Sequence, residues 1–261
     1  MTALLLALLA QAPTPAEPPT PGAALVARTG SQERVEQLLE DGKHVRFGTD
    51  GKGPVHVWWP KNYKPATAVT VVYVHGYFTD VDQAWLQQNL PTQFRDSARN
   101  ALFVVPQSPS SWKDELFHPD LDALLKLVKE QAKVELPRGA VTVVGHSGAY
   151  RTVGKWMNET EVDRIVLVDG LYSLEKELEA WAEQGRHKLF LVGFETTQRS
   201  EWFLKKISGA VRLDDVPWMY DAPPPSMKSA RVTFVDAQRY DHFGLMTSGR
   251  VVPWVLRNWF P

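Results

Sequence analysis

The chain has 261 residues, long enough to bury a substantial core in one α/β domain, with 44% hydrophobic and 23% charged residues and a formal net charge of -1. That balance carries neither the basic footprint of a nucleic-acid binder nor a strongly acidic face. The absence of cysteine excludes disulfides and thiol chemistry and fits an oxidising or a reducing compartment equally.

The first segment, residues 1–12, joins an apolar run over 4–10 to Ala10-Gln11-Ala12, an A-x-A-like cleavage site. This reads as a signal peptide and predicts a secreted or periplasmic protein. No Lys or Arg precedes the run and Pro13 follows the cut, so an unstructured cytoplasmic leader is the competing reading. The run is too short to span a bilayer, and no transmembrane span is expected. Residues 13–22 (PTPAEPPTPG) form a proline-rich linker, and 23–261 are assigned to one folded domain.

Within that domain, 24–41 is expected to be an amphipathic helix, with Leu25, Val35, Leu38 and Leu39 as its apolar face and Gly42 as its stop. Residues 44–47 and 55–59 flank Asp50-Gly51 and predict an antiparallel hairpin. Apolar strands follow at 70–74, 101–105, 141–144, 164–168, 189–192 and 231–235, alternating with helical patterns at 81–97, 119–132, 148–158, 174–184, 198–207 and 248–259. Nearly continuous Val/Leu/Ile strands between amphipathic helices imply a parallel sheet covered on both faces. An antiparallel hairpin leading into it is the α/β-hydrolase arrangement, although the strand count also suits a flavodoxin-like or Rossmann layout. The ten tryptophans show no repeat; most are expected in the core, with one or two lining a substrate cleft.

The motifs separate those folds. In Val141-Thr142-Val143-Val144-Gly145-His146-Ser147-Gly148-Ala149 a buried strand runs straight into a small-residue turn and then a helix. That is the context of a nucleophile elbow, in which a serine takes strained backbone angles at a helix N-terminus that favours developing negative charge. Ala149 replaces the usual glycine at the fifth position, one small residue for another. The bland reading is a tight strand–helix connection with Ser147 as an ordinary N-cap. After the strand 70–74 comes His75-Gly76-Tyr77-Phe78, placed to supply the second half of an oxyanion hole; Tyr77 and Gly148 are the expected N–H donors, and His75 is expected to be structural. Of the seven histidines, only His242 lies between the last predicted strand and the C-terminal helix, where the order nucleophile, acid, histidine puts the base.

The acid has two main candidates. Asp169 ends the strand at 168 and precedes Gly170, so its carboxylate is expected at the carboxyl edge of the sheet, where ligands gather. Glu195 follows the next strand, the commoner place for the acid in this fold. Asp236 and Asp241 stand too near His242 in sequence to be favoured, and a strand-end Asp that merely caps a helix competes with the catalytic reading of Asp169.

Residues 70–112, with GHSGAYR at 145–151 and VLVDGLY at 166–172, resemble a group of uncharacterised bacterial α/β-hydrolase-like proteins in which an HGY-type loop, an HSGAYR elbow and an LDALY-like strand end recur together. Gly170 stands where that group usually has Ala. The likeness, over most of 55–250, implies an α/β-hydrolase fold with Ser147 as nucleophile, and it favours Asp169 over Glu195; it carries no substrate.

Together these readings predict a serine hydrolase acting on a small-molecule ester or amide through Ser147, His242 and Asp169 by way of an acyl-enzyme. No metal or other cofactor is expected: the sequence holds no H-E-x-x-H, no Cys/His cluster and no calcium loop of known spacing. A hydrolase-fold binding or cell-envelope protein without turnover is the rival from another class. A nucleotide-binding Rossmann protein lacks its G-x-G-x-x-G here. The aromatic and proline-rich stretch 218–227 (WMYDAPPPSM) fits a wall or flap over the cleft as well as an exposed loop.

Overall fold

The computed structural model describes residues 34–159, 161–184 and 186–259. The expected signal peptide, the linker and the first part of the expected helix at 24–41 lie outside the described residues.

The remainder of that helix is a correction. Val35–Leu39 is strand β1, paired antiparallel with β2 (Gly42–Phe47) in the register Val35↔Arg46 to Leu39↔Gly42. The connection is Glu40-Asp41, both at positive φ (49° and 58°), the backbone of a tight hairpin turn that matches strand twist. Leu38, counted to an apolar helical face, is 75% exposed on this edge strand. Gly42 is not a helix stop: a Cβ there would fall 2.3 Å from the Trp58 ring, which the missing side chain lets lie flat on the backbone. The hairpin expected from Asp50-Gly51 forms between β2 and β3 (Val55–Pro60).

From β3 the chain enters a mostly parallel sheet: β4 (Val69–Val74), β5 (Ala101–Pro106), β6 (Val141–His146), β7 (Val162–Val168), β8 (Lys188–Gly193), β9 (Val211–Leu213) and β10 (Val232–Asp236). The sheet order is β1-β2-β3-β5-β4-β6-β7-β8-β10-β9. β3 meets β5 antiparallel, and every pairing from β5 to β9 is parallel. Every residue of β5 and β6 is buried, because helices cover both faces. The period of two sorts β4 cleanly. Val72 and Val74 face α3 (Leu121–Ala132), α4 (Tyr150–Trp156), α5 (Glu175–Glu183) and Phe203 of α6 (Thr197–Leu204). Val71 and Tyr73 face the opposite core, built with α1 (Val81–Gln87), α2 (Leu90–Asp96), α7 (Pro225–Ser229), α8 (Gly244–Thr247) and α9 (Val251–Asn258).

The single helix expected over 81–97 is two, broken at Asn89, which takes a left-handed φ of 49° ahead of Pro91. Because the strands from β4 onward run parallel, their carboxyl ends share one edge, and the segments that follow Val74, His146, Val168, Gly193 and Asp236 meet there. Among the described residues, no helix is long and apolar enough to cross a membrane.

Candidate active site

β6 passes directly into a 3-10 turn, Ser147–Ala149, and then into α4. Ser147 holds φ at 53°, a strained conformation for a residue with a side chain. Close packing makes the flanking glycines necessary. A Cβ on Gly145 would come 2.8 Å from Val153 on α4, and one on Gly148 would come 2.5 Å from the Tyr77 ring. Phe78 (63°) and Asp169 (45°) also carry positive φ, so three of the strained residues belong to segments that border the same edge of the sheet.

The loop after β4 runs hard against the elbow. A Cβ on Gly76 would meet Ser147 Cβ at 2.7 Å, so glycine alone lets this backbone pass. His75 is fully buried, donates from Nδ1 to the Gly76 carbonyl (2.8 Å) and accepts the Ser108 N–H at Nε2 (2.9 Å). Burial pushes its pKa down to about 4, so the ring is a neutral brace that fixes the peptide preceding Tyr77. The Phe78 N–H is held by the Ser110 carbonyl at 2.8 Å. Tyr77 and Gly148 thus adjoin each other beside Ser147. Arg151, one turn beyond Ser147, donates to the carbonyls of Trp112 and Asp114 (3.0 Å each) and approaches the Tyr77 hydroxyl at 3.5 Å. Sequence reasoning assigned Arg151 nothing. Its spacing of four from Ser147, which puts it on the same side of the helix, is the signal that was there to be used.

The loop after β10 brings His242 over the elbow. Its Nε2 lies 2.9 Å from Ser147 Oγ and its Nδ1 lies 2.7 Å from Asp169 Oδ2. The structure therefore brings Ser147, His242 and Asp169 together in one line of hydrogen bonds. Asp169 is fully buried, and besides His242 it accepts the N–H groups of Phe194 (3.0 Å), Glu195 (3.1 Å) and Thr196 (2.8 Å) and the Thr196 hydroxyl (2.9 Å). Burial by itself would raise this carboxyl; the bonds from His242 and the three N–H groups outweigh it and hold the pKa at about 2. The bland expectation of an Asp capping the next helix is met in a different place. The capped segment leads into α6, two elements further on, and the carboxylate holds His242 as well.

The bond to Asp169 raises the pKa of His242 above its ordinary 6.5, against the effect of burial. His146 bonds through Nε2 to the His242 carbonyl (3.2 Å), and burial drives its pKa to about 4. Glu195 stands apart from this line. Its carboxylate is 3.9 Å from His242 Nδ1, accepts the Tyr172 hydroxyl at 2.7 Å and is 52% exposed. The donor atoms of Asp169, Glu195 and His242 lie within 4.8 Å of one another, a spacing a cation could bridge. However, Asp169 Oδ2 and His242 Nδ1 already satisfy each other at 2.7 Å, so it is Asp169 that orients the imidazole, with the Glu195 carboxylate further off at 3.9 Å.

Ser147, His146, His242 and Gly148 open on a cleft of about 530 Å³ whose walls are Tyr77, Phe78, Tyr150, Tyr172 and Phe243, with Glu195 on one side. The aromatic walls are tyrosine and phenylalanine. No tryptophan lines the cleft, contrary to expectation: Trp58, Trp156, Trp181 and Trp254 are core, and Trp112, Trp202 and Trp218 are exposed elsewhere. Nor does any residue of 218–227 line it. Trp218 stacks under Arg250 (3.9 Å), Tyr220 faces Arg257 (5.0 Å) and the Asp221 carbonyl accepts from Trp254 Nε1 (3.3 Å), which fastens that stretch to α9 and the turn before it.

Solved structures share this architecture. An S-formylglutathione hydrolase from Agrobacterium tumefaciens superposes with a TM-score of 0.57 at 11% identity, covering 87% of this chain and 99% of that one. EstE1, a thermophilic carboxylesterase cloned from a metagenomic library, gives 0.52 at 14% identity over 92% of this chain and 94% of that one. A fluorophosphonate-binding serine hydrolase of Staphylococcus aureus gives 0.50 at 9% identity over 86% and 97%. The chain has the α/β-hydrolase fold, and at these identities the likeness is one of fold. No protein-family model and no curated sequence matches the chain.

Proposed function

We propose that the chain is a serine hydrolase that cleaves an ester or amide bond through Ser147, His242 and Asp169. The observation that carries this reading is the continuous line from Asp169 Oδ2 through both imidazole nitrogens to Ser147 Oγ (2.7 and 2.9 Å), opening on an aromatic cleft. The three structural neighbours, two hydrolases and a carboxylesterase, support the same class of chemistry.

On this reading His242 Nε2 takes the Ser147 proton as Oγ attacks the carbonyl carbon, and Asp169 stabilises the resulting imidazolium and keeps its Nδ1–H in place. The carbonyl oxygen becomes an oxyanion beside the N–H groups of Tyr77 and Gly148, where losing one donor typically costs about 3 kcal/mol in the transition state. The imidazolium returns its proton to the departing alkoxide or amine, leaving an acyl-enzyme. Water then gives its proton to His242 and its oxygen to the acyl carbon, and Ser147 Oγ recovers the proton as the acid leaves. The elevated His242 pKa fits a group that must carry a proton between two steps.

The test is labelling with a fluorophosphonate, which captures a serine activated in this way. The folded protein is expected to label at Ser147, and Ser147→Ala to be unreactive. Folded protein that does not label, or that labels equally after the substitution, overturns the reading and leaves a hydrolase-fold protein without turnover.

A further inference from the structure

The Glu195 side chain moves no proton in the proposed mechanism and acts on His242 only through its charge, which helps to raise the imidazole pKa. Glu195 is not needed to orient His242, because Asp169 alone holds Nδ1 at 2.7 Å with the Glu195 carboxylate 3.9 Å away. Among the described residues Glu195 is not locked in an ion pair with Lys or Arg; its carboxylate accepts the Tyr172 hydroxyl, and about half its side chain is exposed. The cleft it borders is lined by five aromatic rings, Tyr77, Phe78, Tyr150, Tyr172 and Phe243, and among the described residues no Lys or Arg lines it. Phe78 and Phe243 are 88% and 63% exposed, so their faces are available to a ligand rather than to the core. Arg151, close to the Tyr77 hydroxyl at 3.5 Å, is held by backbone carbonyls.

A carboxylate among the electron-rich faces of aromatic rings attracts a cation, repels an anion and gives a neutral alkyl group only its apolar contact. Resting on the serine-hydrolase reading above, we infer that this site takes esters or amides bearing a cationic, ammonium-type group within a few bonds of the scissile carbonyl, with Glu195 and the aromatic rim as its subsite. The Tyr172–Glu195 bond orients the carboxylate and leaves one of its oxygens for the cation.

Two matched substrate pairs test this. A choline ester against the 3,3-dimethylbutyl ester of the same acid places the charge on the leaving group. A trimethylglycine ester against the 3,3-dimethylbutyrate ester of the same alcohol places it on the acyl group. In each pair nitrogen replaces carbon at nearly constant shape. The expected result is a preference of about tenfold in kcat/KM for the cationic member of at least one pair, from one exposed charge pair plus cation–π contacts. That preference should shrink as salt rises and fall toward one in Glu195→Gln.

A reading on unmodified protein goes with it. Tetramethylammonium should slow fluorophosphonate labelling, and its neutral carbon isostere should not. If both pairs are turned over with no charge preference, or the preference survives Glu195→Gln, the cationic subsite is overturned while the hydrolase reading stands. If Ser147 does not label and no ester is turned over, the hydrolase reading fails and the subsite with it.

Discussion

Replacing Asp169 with asparagine changes one atom and separates the two candidate acids. Asp169 Oδ1 accepts from Phe194 N–H, Thr196 N–H and the Thr196 hydroxyl, and Oδ2 accepts from Glu195 N–H and His242 Nδ1. An amide cannot satisfy all five. With its NH₂ at the Oδ1 position it would face three donors. With its NH₂ at the Oδ2 position it faces one N–H and the imidazole, which can turn the clash into a bond only by moving its own proton from Nδ1 to Nε2. The second arrangement leaves fewer donors unmet, and it aims an N–H at Ser147 Oγ, so the base can no longer accept the serine proton. The wrong tautomer in a serine triad lowers kcat by about 10⁴, equivalent to about 5 kcal/mol of transition-state stabilisation. The unmet Glu195 N–H adds a stability loss of about 1–3 kcal/mol, which leaves the fold intact. The assay is the second-order rate of fluorophosphonate labelling together with kcat on an activated ester, with far-UV circular dichroism as a control for folding. A loss under tenfold in Asp169→Asn, alongside a loss above a hundredfold in Glu195→Gln, would refute the assignment and make Glu195 the acid.

Three other consequences follow from the same geometry, and a fourth from a carboxylate away from it. Because the bond to Asp169 raises His242 above 6.5 and only the neutral imidazole acts as base, kcat/KM is expected to fall as pH drops through an apparent pKa above 6.5; in Asp169→Asn that acid limb moves to lower pH. The Asp169 carboxyl, depressed from 3.8 to about 2, contributes stability that is complete above about pH 4 and lost as pH falls toward about 2; acid titration followed by tryptophan fluorescence should show a flatter dependence over that window in Asp169→Asn, and equal slopes would count against the shift. Gly76→Ala sets a Cβ 2.7 Å from Ser147 Cβ, and displacement of the Tyr77 N–H should lower kcat by about 10²–10³, with a lower melting temperature because the backbone has to shift to make room. Arg46 and His56, both buried, share the partly buried Asp82 carboxylate at 2.6–2.8 Å, so Asp82→Asn should cost about 3 kcal/mol in urea unfolding; a loss below about 1 kcal/mol would show that the cluster adds little.

The parts legible in the sequence are those set by local constraints. Runs such as Leu102-Phe103-Val104-Val105 announce a strand buried on both faces, and β5 is one. The elbow is legible because several local demands coincide: a buried strand, glycines where any Cβ would collide, and a helix start. The N-terminal edge was misread because Val35, Leu38 and Leu39 are spaced three and four apart, a helical interval, while the backbone is a strand with Leu38 turned to solvent. Hairpin formation there depends on β2, and β2 in turn on β3, so the deciding contact is tertiary. β9 has three residues and exists by virtue of its partner β10, too short for any periodicity. The cleft walls were sought among tryptophans, the largest aromatic surfaces, but those proved to be core or distant surface. The walls come from residues next to the motifs themselves, Tyr77 and Phe78 after Gly76, Tyr150 after the elbow and Phe243 after His242.

Sheet order, which no local pattern reveals, brings both Asp169 and Glu195 within reach of His242. β7 lies between β6 and β8, so Asp169 at its end is one strand from Ser147, whereas the end of β8 is two strands away. His242 descends from the loop after β10, on the far side of β8, and has to span to β6. Its Nδ1 therefore passes over the ends of β8 and β7, and either could supply the acid. What favours Asp169 is the environment of each carboxylate. At φ 45° Asp169 turns inward, and the backbone following β8 wraps around it with three N–H groups, a geometry that keeps a buried acid ionised and immobile. Glu195, a member of that same wrapping segment, gives its N–H to Asp169 and sends its side chain outward to Tyr172. On the proposed mechanism the segment after β8 cradles the acid rather than carrying it, and that leaves the Glu195 carboxylate facing the cleft.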